Sequence, residues 1–156
     1  MVWDELTVLP DWEIALQVAI RIVIAAILGG AIGLEREMKR KAAGLRTQML
    51  VCMGATIVIV VARVDGIPLN EISRIIDGIL TGIGFIGGGV ILKLTLTREV
   101  QGLTTAASIW TTAAIGIAVG LGQVWVAVLS MLVVWIILFV LGYVEHKIWP
   151  VEHTEP

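Results

Sequence analysis

The sequence predicts an all-α, polytopic transmembrane helix bundle with five spans, forming a single domain over residues 1–156. Of these residues, 58% are hydrophobic and only 15% are charged. An ordinary soluble domain carries about 45–50% apolar and about 25% charged residues. The mean hydropathy is +0.96, and apolar stretches of about 20 residues, the length that crosses a bilayer, recur along the chain. A soluble fold of this length could not bury so much apolar surface, so we expect a lipid bilayer around it.

Five apolar stretches mark the spans. We predict them at residues 14–34, 46–62, 75–94, 103–121 and 124–144. The first contains only Gln17 and Arg21 as strongly polar residues, and the third is rich in glycine and carries Asp77 near its start. The last two stretches are separated only by a short glycine-containing turn. A single helix through both would be about twice as long as one crossing requires, so two spans are predicted.

A cluster of positive charge separates the first two spans. It consists of Arg36, Lys39, Arg40, Lys41 and Arg46. Short loops rich in lysine and arginine stay on the cytoplasmic side when a membrane protein inserts. With this loop inside, the inner segments carry eight basic residues, including Lys93, Arg98 and Lys147, and the outer segments only Arg63 and Arg74. The predicted orientation is therefore N-terminus out and C-terminus in.

The polar residue types exclude several classes of function. Cys52 is the single cysteine, and the two histidines, His146 and His153, both lie in the C-terminal tail. No pair or triad of side chains has the spacing of a catalytic or metal-binding site. We therefore expect no enzyme activity, catalytic residue, metal, cofactor or nucleic-acid partner.

Arg21 and Asp77 are charged residues inside the outer halves of predicted spans. A charge within the bilayer costs about 2.5–3.5 kcal/mol on insertion scales, so each needs a partner or a route to water. At a rise of about 1.5 Å per residue, their depths differ by about 6 Å. Three interpretations stay open: a structural ion pair, a gated polar site, and two independent roles.

Glu35 and Arg46 are the corresponding polar residues at the inner interface. Glu35 closes the first predicted helix and Arg46 opens the second. One interpretation is an ion pair that clasps the helical hairpin. The other is a binding surface for a partner protein or an anionic lipid headgroup, since basic residues beside a membrane attract such headgroups at about 1 kcal/mol each.

The third span contains a run of six glycines: Gly78, Gly82, Gly84, Gly87, Gly88 and Gly89. Their G-x-G-x-x-G pattern does not indicate nucleotide binding, because no strand precedes it. The four-residue spacings favour flat faces where helix backbones touch. Alternatively, Gly87–Gly89 unwinds the helix and exposes carbonyl groups to a cation, as in transporters.

The fourth span carries a stripe of hydroxyl groups. Thr104, Ser108 and Thr112 are spaced by four residues and would share one helix face. Such stripes hold transmembrane helices together, at about 0.6–2 kcal/mol per hydrogen bond. They can also line a polar path through the membrane.

Several segments occur in a characteristic order: GLERE (33–37), AGLRTQMLVCMGA (43–55), SRIIDGILTGIGFIGGGVILK (73–93) and VQGLTTAASIWTTAAIGIAVG (100–120). Together they resemble the membrane domain of the MgtC/SapB family, without the soluble C-terminal domain that many members add. The resemblance covers roughly residues 14–122 and departs from the family pattern at Asp77, where a neutral amide is usual. It implies a bacterial inner-membrane protein linked to low-magnesium and acid-stress survival. It also implies action through other membrane proteins, including the ATP synthase, rather than through magnesium transport.

Two functional hypotheses follow. The first is a membrane regulator of the MgtC/SapB type that acts through helix–helix contacts with a membrane protein partner or in a homo-oligomer. The second is a small transporter or channel for a cation such as magnesium. The second requires backbone carbonyls at Gly87–Gly89, because no acidic residue lies near the bilayer midplane, where carriers bind their substrate.

Overall fold

Helices joined by short turns make up the described structure. The computed structural model describes residues 11–94 and 102–141, and no strand occurs within them. The helices are α1 (Trp12–Met38), α2 (Leu45–Val64), α3 (Leu69–Leu94), α4 (Leu103–Gly120) and α5 (Val124–Ile136), and α5 continues into a π-helical segment (Ile137–Leu141). The predicted all-α helix bundle is confirmed.

Four of these helices, α1 to α4, are long and apolar enough to cross a membrane. The apolar helix Val124–Val140 is shorter, and residues 142–144 of the predicted fifth span lie outside the described residues. The third helix starts at Leu69, six residues before the predicted span, because hydropathy marks only the lipid-embedded part of a helix. The orientation stays a prediction, and Arg98 and Lys147, on which it partly depends, lie outside the described residues.

The turns between helices follow local chain chemistry. After α2, Gly66 adopts a φ of +73°, its N–H donates to Arg63 O at 3.2 Å, and the Ile67 N–H donates to Ala62 O at 3.0 Å. This is the Schellman geometry, which places a left-handed residue, usually glycine, just past the helix end. Gly122 ends α4 in the same way, with a φ of +85°.

Helices α2 and α4 form the centre of the bundle. One apolar cluster joins them to α1 and α5, through residues such as Ile32, Cys52 and Val119. A second joins them to α3, through residues such as Ile59 and Ile72. Within the 18-residue apolar windows, 56% of α4 but only 6% of α3 is buried. The protein therefore presents α3 almost entirely at its surface.

Candidate functional site

A line of buried polar side chains runs between α1, α2 and α4, and we call it the polar seam. Its members are Arg36, Gln48, Thr56, Thr105, Ser108 and Thr112, all buried. Gln48 Nε2 donates to Ser108 Oγ at 2.9 Å, and Thr56 Oγ1 donates to the Gly116 carbonyl at 2.8 Å. Interhelical hydrogen bonds of this kind join transmembrane helices, since lipid offers polar groups no alternative partner.

The seam corrects the predicted hydroxyl stripe at one position. Thr104 is exposed, whereas Thr105 is 3% exposed and accepts a hydrogen bond from Arg36 Nη2 at 3.0 Å. Spacings of three and four residues both place side chains on one helix face, so the sequence could not distinguish the two threonines. Sequence reasoning missed Gln48, although a lone amide within an apolar span was an available signal.

A buried charge cluster lies at one end of the seam. The Glu35 and Arg36 side chains are 5% and 3% exposed, and Glu35 Oε2 lies 3.8 Å from Arg36 Nη1. The shorter contact of Glu35 is with Lys39, whose Nζ lies 2.7 Å from Oε1. Lys39 Nζ also donates to the Leu138 carbonyl at 2.8 Å, so the cluster ties α1 to the π-helical segment that follows α5.

The predicted Glu35–Arg46 clasp is wrong. Glu35 points into the bundle from the face of α1 that also buries Ile32, whereas Arg46 is exposed. The hairpin is closed instead by Glu37, whose Oε2 accepts a hydrogen bond from the Leu45 N–H at 3.0 Å. A carboxylate at the first N–H of α2 satisfies a donor that the helix itself leaves free.

The predicted pairing of Arg21 with Asp77 is also wrong. Arg21 Nη1 donates to the Gly120 carbonyl at 3.0 Å, so the negative end of α4 compensates the guanidinium. Asp77 is exposed on α3, and no ion pair joins the two residues in the described part of the chain. The reason is the arrangement of the bundle, in which α1 and α3 pack against α2 and α4 rather than against each other.

The glycine run of α3 does not unwind the helix. Helix α3 is continuous from Leu69 to Leu94, so the broken-helix alternative is wrong. A Cβ on Gly87 would lie 3.5 Å from the Ala106 Cβ of α4, an ordinary contact. A Cβ on any of the other five would meet nothing within 4 Å: Gly78, Gly82, Gly84, Gly88 and Gly89. Among the described residues, close helix packing therefore involves only Gly87 of this run.

The close approaches between helices involve other glycines. A Cβ on Gly29 would lie 2.7 Å from the Gln48 carbonyl oxygen, and one on Gly33 would lie 2.7 Å from the Leu45 Cα. On α4, a Cβ on Gly120 would lie 2.6 Å from the Ile59 Cβ, and one on Gly116 would overlap the Cys52 carbonyl oxygen. Both pairs have the small-xxx-small spacing of transmembrane contacts, and the sequence analysis missed them.

One side of α3 forms a continuous exposed surface, which we call the outer face of α3. Its members are Glu71, Arg74, Asp77, Gly78, Thr81, Gly82, Phe85 and Gly89, all exposed. Within the described residues, the three charged side chains make no ion pair. Phe85 is 84% exposed, next to glycines that leave the helix backbone open. This face can accept another helix at short distance.

The described residues offer little metal-binding chemistry. No group of three His, Cys, Asp or Glu residues among them could hold a metal ion. The donors along the seam are hydroxyl, amide and guanidinium groups, whereas Mg²⁺ is usually bound through carboxylates.

Comparison with known proteins identifies the family. A model described as the MgtC family matches residues 22–147. The protein named "Putative magnesium transporter YhiD" of Escherichia coli K12 is 46% identical over 111 residues, which cover 67% of this chain and 51% of the relative. Protein SapB of Bacillus subtilis is 34% identical over 147 residues, which cover 90% of this chain and 63% of the relative. Protein MgtC of Salmonella typhimurium is 41% identical over 104 residues, which cover 67% of this chain and 43% of the relative.

The chain spans about half the length of the first relatives it matches, 51% for the Escherichia coli protein. No solved structure matches the chain.

Proposed function

Because the chain belongs to the MgtC family, we propose that this multi-pass membrane protein is a non-enzymatic regulator of the bacterial inner membrane. It acts by binding a membrane protein through the outer face of α3. Its place in magnesium-limitation or acid-stress adaptation follows from the family resemblance. The exposure of α3, against the deep burial of α4, is the observation that carries the proposal.

The small residues of α3 support a helix as the binding partner. Lipid tails are as apolar as leucine, so the hydrophobic effect does not drive helices together in a bilayer, and close van der Waals contact has to do so. Gly78 and Gly82 are separated by one helix turn and have open space above them. A partner helix that crosses there can reach the α3 backbone.

The charge of Asp77 on the same face favours a partner that carries a polar group at the same depth in the membrane. Asp77 lies eight residues into α3, about 12 Å along the helix axis. A carboxylate left facing lipid would cost several kcal/mol, so a basic or hydrogen-bonding group on the partner would stabilise it. If a second copy of the chain packed its α3 in parallel against this face, its Arg74 would lie three residues from the level of Asp77 and could pair with it. A second copy is therefore the competing candidate for the partner.

The test compares two glycines that both face open space. Gly82→Leu should abolish co-purification of the partner, because the added side chain holds the helices apart. Gly54→Leu is the matched control, since a Cβ on Gly54 of α2 also meets nothing within 4 Å. Folding of each variant is checked by its thermal stability in detergent. Equal partner capture by both variants would contradict the proposal, and a concentration-dependent dimer lost only in Gly82→Leu would identify the second copy as the partner.

Cation transport is the second candidate, favoured by the buried polar seam and by the name of the Escherichia coli relative. Two features argue against it: α3 is unbroken, and Arg36 places a positive charge on the seam. Purified protein in sealed vesicles should give no magnesium flux above that of empty vesicles. A saturable flux that Gln48→Leu abolishes would make transport the leading function.

A further inference from the structure

A donor and an acceptor in the polar seam lack a hydrogen-bond partner within the described residues. The donor is Nε of Arg36, and the acceptor is Oε1 of Gln48. Arg36 is 2% exposed and Gln48 is fully buried. Most buried polar groups of folded proteins are paired with protein atoms or with ordered water, because an unpaired group pays the full cost of leaving water. These two atoms therefore indicate a third participant between the helices.

Both side chains are anchored on the same turn of α4. Arg36 Nη2 donates to Thr105 Oγ1 at 3.0 Å, and Gln48 Nε2 donates to Ser108 Oγ at 2.9 Å. Ser108 Oγ in turn donates to the Thr105 carbonyl at 2.8 Å. Side chains three residues apart on a helix lie about 5–6 Å from each other. The guanidinium of α1 and the amide of α2 therefore end side by side.

The close contact between α1 and α2 also brings the two side chains together at their bases. A Cβ on Gly33 would lie 3.1 Å from the Gln48 Cβ, and Arg36 follows Gly33 by three residues on the same face of α1. The two Nη atoms of Arg36 have partners nearby, because Nη2 meets Thr105 and Nη1 lies 3.8 Å from Glu35 Oε2. Nε is therefore the donor that Gln48 Oε1 can share.

We propose that a water molecule binds between α1, α2 and α4, where it accepts a hydrogen bond from Arg36 Nε and donates one to Gln48 Oε1. Two hydrogen bonds of about 2.7–3.2 Å each span a separation like that of the two anchoring residues on α4. Buried waters typically bond two to four polar groups that otherwise have no partner. The site lies in the polar seam, apart from the outer face of α3, so it is independent of the proposed function.

The chemistry of the two atoms selects water over an ion. A ligand at this place has to accept a hydrogen bond on one side and donate one on the other. An anion would pair with Arg36 but would repel the Gln48 oxygen. A metal cation would bind that oxygen but would be repelled by the guanidinium. Water satisfies both atoms, so we expect the seam to be hydrated here and to hold no ion at this level.

Solid-state NMR of the full chain in liposomes detects contact with this water. Magnetisation is transferred from water protons to side-chain N–H groups, and Arg36→Lys identifies the Arg36 Nε–H signal by its disappearance. We expect transfer to the Arg36 Nε–H and to the Gln48 side-chain amide, with the exposed Arg46 as a hydrated reference. Transfer to Arg46 without transfer to the Arg36 Nε–H would overturn the proposal.

Two seam variants locate the water. Gln48→Met keeps the length of the side chain but removes Oε1, so transfer to the Arg36 Nε–H should be lost. Thr112→Val is the matched control, since it removes another buried oxygen without a partner in the described part of the chain, and it should keep the transfer. Transfer that persists in Gln48→Met, or is lost equally in both variants, would refute the site. If Gln48→Met does not fold, transfer to Arg36 without transfer to the Gln48 amide in the unmodified protein would refute it.

Discussion

Replacing Gly116 by alanine tests the central contact of the bundle. Gly116 lies on the face of α4 that packs against α2, and an added Cβ would overlap the Cys52 carbonyl oxygen. It would also lie 3.1 Å from the Ala55 Cβ. Both obstacles are rigid, one being backbone and the other the first side-chain atom of a helix. The two helices would have to separate.

The expected cost follows from three contributions. Overpacking a tight contact costs about 1–3 kcal/mol. Separation of α2 from α4 also strains the hydrogen bond from Thr56 Oγ1 to the Gly116 carbonyl, now 2.8 Å long, and a typical hydrogen bond contributes about 1 kcal/mol. The higher helix propensity of alanine offsets about 1 kcal/mol. We therefore expect a net loss of about 1–3 kcal/mol in the free energy of unfolding.

Unfolding in mixed detergent micelles, followed by tryptophan fluorescence, measures this loss. Gly82→Ala is the matched control, because its Cβ meets nothing within 4 Å and should leave the stability equal or slightly higher. A Gly116→Ala protein as stable as the Gly82→Ala protein would show that α2 and α4 do not approach each other as described.

Two further predictions concern charged residues. The stability losses caused by Arg21→Ala and Asp77→Ala should add in the double variant to within about 0.5 kcal/mol, because the residues have no shared partner. A clearly smaller combined loss in the same unfolding assay would show that the two residues form an ion pair after all. Arg40 holds a φ of +51° just past α1, a conformation that costs a non-glycine residue about 1 kcal/mol. Arg40→Gly should raise stability by about 0.5–1 kcal/mol, whereas Met38→Gly within α1 should lower it, and a loss in both would show that Arg40 is not strained.

The sequence predicted the helices well because their signals are local. Apolar runs of spanning length, and glycines such as Gly66 and Gly122 beyond helix ends, depend only on residues close in the chain. The family could also be predicted, because ordered motifs belong to the sequence itself. The start of α3 was the largest error, since the polar residues before the apolar run, Asn70 to Arg74, continue the helix without a hydropathy signal.

Partners of charged residues were beyond prediction from the sequence. Arg21 and Asp77 lie at similar depth, yet Arg21 binds the end of α4 instead. Glu35 and Arg46 flank the same loop, yet only Glu35 faces the interior. Depth and proximity along the chain restrict which partners are within reach. The rotation of each helix about its axis then selects among them, and packing of the whole bundle sets that rotation.

The sequence by itself determined that this chain forms apolar helices, where the apolar part of each lies, and that small residues recur at helix-packing spacing. Only the tertiary structure decided which of these residues make contacts. Gly29, Gly33, Gly116 and Gly120 meet α2 closely, whereas Gly78 and its neighbours on α3 face outward. The physical reason is that spacing places residues on one face of a helix, but the arrangement of the other helices determines whether that face is covered.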